Sequence, residues 1–163
     1  MNISIHTLVF LLAAHAPGLA QALVYPTHQM ANNGLSIKHL DSLYTPAVHA
    51  DTSQALWKTP TGQQTFSAAY TAFVQEMGKF MSTNGLKWER PTKCWLGCYF
   101  GTDGRLDYVL FNFTGKPDEK PSEDVQNTFK ELLVRFSIDH AMVITSTLPF
   151  SQCSGVHFMP PQE

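Results

Sequence analysis

KCWLGCYFGTDGRLDYVLFNF, residues 93–113, reads as two strands folded back on each other. Aromatic and branched side chains fill 93–100 and 105–113, and the intervening Asp103-Gly104 tolerates the positive φ that a type I′ turn demands. With Asp103 and Gly104 at the centre of that turn, Thr102 faces Arg105, Cys98 faces Val109, Leu96 faces Phe111 and Cys94 faces Phe113. Strand alternation then gathers Cys94, Leu96, Cys98, Phe100, Val109, Phe111 and Phe113 on one face, which has the composition of a core. Trp95, Tyr99, Leu106, Tyr108 and Leu110 fall on the opposite face. That face also asks for cover.

Upstream, Phe66, Ala69, Tyr70, Phe73, Met77, Phe80 and Met81 recur at three- and four-residue spacing, which predicts an amphipathic helix over about 62–83. Asn84-Gly85 follows as a left-handed C-terminal cap. Downstream, Ser122 caps a second helix over about 122–137, with Glu123 and Asp124 in its first turn and Val125, Phe129, Leu132, Leu133 and Phe136 along one face. AMVITSTL (141–148) reads as a strand, and a further short one is expected around Val156–Phe158. The expected fold is therefore α+β: a small antiparallel sheet, made of the central hairpin 93–113 and a C-terminal strand, packed with two amphipathic helices.

The N-terminal third is less patterned. Residues 1–20 contain no Asp, Glu, Lys or Arg and carry an apolar run from Leu8 to Ala14, then Pro17-Gly18 and the small residue Ala20. This is the order of a signal peptide cleaved after Ala20; the run is too short for a spanning helix, so no stable membrane span is expected after cleavage. Residues 21–60 read as a polar segment with little regular structure, apart from a short helix over 35–43 that Pro46 would end. Residues 61–159 form the expected α+β domain. The expected location is secreted or periplasmic.

Export favours oxidation, which bears on the cysteines. Cys94 and Cys98 on one strand lie about 13 Å apart, too far to bond each other. They are one residue too widely spaced for a C-x-x-C redox pair, and no second pair exists to complete a zinc cluster. One of them can bond Cys153, the third cysteine, while the other stays a buried thiol. Closing a loop of about 59 residues this way would stabilise the fold by about 4 kcal/mol in the chain-entropy model.

With 11 basic and 13 acidic residues and no block of like charge, the chain lacks the basic stripe of a nucleic-acid binder. Ser137-Ile138-Asp139-His140 holds the residue types of a hydrolase triad, but sequence neighbours do not readily form the oriented hydrogen-bond chain, and a helix-to-strand turn is the simpler reading. The histidines make no H-x-x-x-H or H-E-x-x-H pattern. His49 with Asp51 is the one pair to test for metal or catalytic work. The glycines at 97, 101 and 104 belong to the hairpin, not to a phosphate loop. Asn112-Phe113-Thr114 fits a glycosylation acceptor. No catalytic, cofactor-binding or metal-binding residue is assigned, and no cofactor is expected. Trp95, Tyr99 and Tyr108 are the candidate partner surface, although a second core layer explains them more simply.

YTPAVHADTSQALW, NGLKWERPTKCWLGCYFGTDGRLDYVLFNF and FSQCSGV together resemble a group of secreted, uncharacterised proteins of Bacteroidota. By that resemblance the bridge joins Cys94 to Cys153 and the protein is exported, with no reaction implied. The element order is also similar to the C-terminal domain of TonB-type energy transducers, which implies a small α+β module and nothing about function. The leading expectation is a non-enzymatic exported domain that binds a protein or peptide partner, in a sheet-edge mode. The second is a small hydrolase or metal-dependent enzyme built on His49 and Asp51.

Overall fold

A computed structural model describes residues 21–160; the expected signal peptide lies outside them. Three helices and a five-stranded sheet make an α+β fold. In chain order these are β1 (Leu23–Pro26), α1 (Ile37–Leu43), β2 (Thr45–Pro46), α2 (Pro60–Thr83), β3 (Thr92–Phe100), β4 (Leu106–Phe113), α3 (Glu123–Asp139) and β5 (Phe150–Phe158). The sheet runs β1-β4-β3-β5-β2. It is mixed and not purely antiparallel: β3 is antiparallel to both neighbours, while β1 lies parallel to β4 and β2 parallel to β5. Among the described residues no helix is long and apolar enough to cross a membrane.

The hairpin has the expected pairs Cys94 with Phe113, Leu96 with Phe111 and Cys98 with Val109, but a different turn. Among the described residues no non-glycine residue has positive φ, whereas Gly104 sits at φ 80, so Asp103 cannot occupy a type I′ turn. Gly101 N–H donates to the Arg105 carbonyl and Gly104 N–H to the Gly101 carbonyl, which closes a three-residue loop. That loop shifts the pairing by one residue, so that Phe100 faces Leu106. A bulge at Asp107 shifts it back, and Tyr99 faces Tyr108. Between the two shifts Leu106 turns to the helix side, not to the opposite face where simple alternation puts it.

α2 and α3 cover the face that carries Cys94, Leu96, Cys98 and Phe100. Both helices start where side chains replace the missing backbone partners: Thr59 accepts from Gly62 N–H ahead of Pro60, and Ser122 accepts from Val125 N–H. Their buried stripes are aromatic. Phe73 meets Phe100 and Phe136 edge-on, and Phe129 meets Phe111, Phe113 and Phe158 in the same way, an arrangement that favours aromatic quadrupoles beyond burial alone. The buried Ser137 hydroxyl accepts from Ala22 N–H and donates to the Val134 carbonyl, pinning the start of β1 to α3.

The segment 21–60, expected to hold little regular structure, supplies both edge strands and a lid. α1, capped by Ser36, lays Leu40 and Tyr44 with Met30 over Tyr99 and Leu110. Residues 141–148, expected as a strand, are not one. They run across the hairpin tip, where Met142 N–H bonds the Gly104 carbonyl and Ser146 N–H the Thr102 carbonyl. The last strand instead spans Phe150–Phe158, pairing along the full length of β3.

Candidate functional site

Both ends of the sheet order could offer free backbone groups, and they differ. β1 is four residues long and ends in Pro26, which lacks an N–H. At the other end β2 pairs with β5 only at Phe150 and Ser151. From Gln152 to Phe158 no strand among the described residues lies beside the outer side of β5.

Pro149 and Ser151 direct their carbonyls to Thr45 and Ala47 on the β2 side. Successive strand residues alternate the side to which their backbone groups point, so Cys153, Gly155 and His157 face outward. All three are exposed. The Cys153 carbonyl accepts from the Gln152 side-chain amide, while the outward groups of Gly155 and His157 have no partner among the described residues. Unpaired rows of this kind are the template onto which a further strand adds.

Beside this edge runs a groove of 610 Å³ between β5 and the second half of α2. Its apolar floor is formed by Val74, Leu86, Trp88, Val156 and Phe158, with the Trp88 and Phe158 rings stacked 4.7 Å apart. Gly78 lines the α2 wall, and nothing occupies the space that its missing side chain leaves. Lys79, Lys87 and His157 stand around it. The sequence signal for the site is weak: within FSQCSGVHF only Val156–Phe158 reads as a short strand, while the polar residues before it hide the rest of the edge.

The three cysteines are all free. The Cys94–Cys153 bridge expected from the resemblance is excluded by the sheet: Cys94 faces the helices, whereas Cys153 pairs with Gly97 and belongs to the α1 side. Cys98 is also on the helix side, below Tyr70, whose hydroxyl lies 3.8 Å from its sulfur and 2.8 Å from the Ser154 hydroxyl. Burial pushes the Cys94 and Cys98 thiols up to about 12, which leaves them protonated and unreactive at neutral pH.

Trp95, Tyr99 and Tyr108 do not form an open surface. Tyr99 is fully buried, and Trp95 and Tyr108 are half-buried in the same cluster. Tyr99 donates to Asp41 and Tyr44 to Asp107, at 3.1 and 2.9 Å, so the second layer is pinned by hydroxyl–carboxylate pairs. Burial and then the nearby carboxylates raise both phenols; Asp107 is itself raised, chiefly by burial. Trp95 lies across Gly97, where a Cβ would come within 2.8 Å of the indole.

His49 and Asp51 do not converge as an acid–base pair. The Asp51 carboxylate caps its own turn, accepting from Ser53 N–H, the Ser53 hydroxyl and the Gln54 amide, which lowers its pKa. His49 Nδ1 instead takes the Asp51 backbone N–H. Ser137 and His140 are likewise used structurally: His140 stacks on Phe136 with ring centroids 4.1 Å apart, and its Nε2 lies 3.8 Å from Glu76. Among the described residues no three His, Cys, Asp or Glu side chains gather. Comparison with protein-family models, curated proteins and solved structures finds no match for this chain.

Proposed function

We propose that this domain binds a partner protein by accepting an extended segment of it as a sixth strand along the outer side of β5, the mode called β-augmentation. The observation that carries the reading is the unpaired run Gln152–Phe158 beside an apolar groove. Main-chain hydrogen bonds to Gly155 and His157 would hold the segment, and alternate side chains would enter the groove over Val156 and Phe158. Proteins that have no use for a long free edge ordinarily blunt it with lysine, proline or a bulge, and Gln152–Phe158 carries none of these. On this reading the domain is non-enzymatic and acts after export, the location read from residues 1–20.

Panning a displayed library of random peptides, about ten residues long, against the protein and against Gly155→Pro tests the proposal. Proline removes the outward N–H at an edge position where the backbone tolerates it. Peptides should be recovered on the parent and lost on the variant, with unchanged circular dichroism. Equal recovery on both would defeat the reading.

A further inference from the structure

We infer that the strand seated on β5 carries aspartate or glutamate side chains among its groove-side residues; this rests on the strand-addition reading above. The groove's charged side chains are both basic, Lys79 on α2 and Lys87 just beyond it, with no Asp or Glu in the lining; His157 borders it from β5 but, like Cys153, belongs to the α1 side of the strand. The chain as a whole is net −2, so the concentration of positive charge here is local. Among the described residues there are two ion pairs, Arg105 with Asp103 and His140 with Glu76, and neither uses these lysines. Two uncommitted ammonium groups beside the apolar floor of Leu86 and Trp88 attract an anion more strongly than they would in open water.

The anion belongs to side chains, not to a chain end. A terminal carboxylate is captured by converging backbone N–H groups. The helix end nearest the groove is the C-terminal turn of α2 at Ser82, which presents carbonyl oxygens and so offers none of those N–H donors. Lysines on flexible stems suit carboxylates whose position varies along an added strand. The empty space at Gly78, next to Lys79, admits a side chain of the incoming strand on the α2 wall.

The test sequences the peptides that the panning recovers on the parent and on the double variant Lys79→Glu/Lys87→Glu, whose positions are exposed and tolerate the change. Acidic residues should be enriched at alternate positions on the parent. The best such peptide should lose about tenfold in affinity on the double variant. It should also weaken as NaCl rises from about 50 to about 500 mM. Recovered peptides that are neutral or basic, or an affinity indifferent to both lysines and salt, would overturn the acidic assignment and leave strand addition standing. Failure to recover any peptide, or retention on Gly155→Pro, would remove both.

Discussion

Cys94, Cys98 and Cys153 show how one atom type takes different chemistry from its side of a sheet. The first two are buried against the helices and the third is exposed on the other face. A thiol reagent at neutral pH should therefore label only Cys153 in the native protein, and all three in denaturant without prior reduction. Labelling fewer than three would reveal a bridge that the register forbids. The buried pair also sets an alkaline limit. Burial pushes both thiols up to about 12 from their ordinary 9.0, so their contribution to stability is fully present below pH 9 and is lost as pH rises from there towards 12. The raised phenols of Tyr44, Tyr70 and Tyr99 push the same way. Chemical denaturation followed across pH 7 to 11 should show stability falling above pH 9, and a flat profile would contradict the burial of these groups. At Gly104 an added Cβ would meet the Met142 carbonyl at 2.6 Å, on a backbone with φ 80. Gly104→Ala should cost more than about 1 kcal/mol in urea denaturation.

At the level of elements, α2 illustrates a residue choice that folding alone does not explain. Glycine in a helix interior is about 1 kcal/mol less favourable than alanine, yet Gly78 sits mid-helix with open space where its side chain would be. Gly78→Ala should raise the melting temperature while weakening the recovered peptides, two changes of opposite sign that calorimetry and a binding titration read separately. A variant that gains stability and binds as before would mean that the α2 wall takes no part. Both long helices were readable in advance because Phe66 to Met81 and Val125 to Phe136 repeat with the helical period. The pairing of Cys94 to Cys98 was readable for a less direct reason: the extra residue in the turn and the bulge at Asp107 cancel, leaving only Leu106 misplaced. The apolar content of AMVITSTL suggested a strand, but it serves a crossing over the hairpin tip, with Met142 buried and Val143 88% exposed. The two-residue β2 and four-residue β1 are too short to show any period.

For the molecule as a whole, the segment before α2 completes the sheet and closes its second face. Leu40 is fully buried on Tyr99 and Leu110, and β1 lies along β4 from Leu23 to Pro26. A fragment of residues 61–159, expected from sequence to be the folded unit, should expose the Tyr99 layer and bind a hydrophobic dye, with no cooperative thermal transition. A cooperative transition would make 21–60 an accessory. The site was only partly legible for a related reason. A sheet-edge partner was anticipated, but the edge itself depends on β2 stopping after Pro46, and no local pattern announces where a neighbouring strand ends. The unlike borders of the sheet bear on stoichiometry. A brief margin sealed by Pro26 opposite a long receptive one makes the domain a one-sided receptacle. Its complexes should close at one guest per host instead of growing into fibrils.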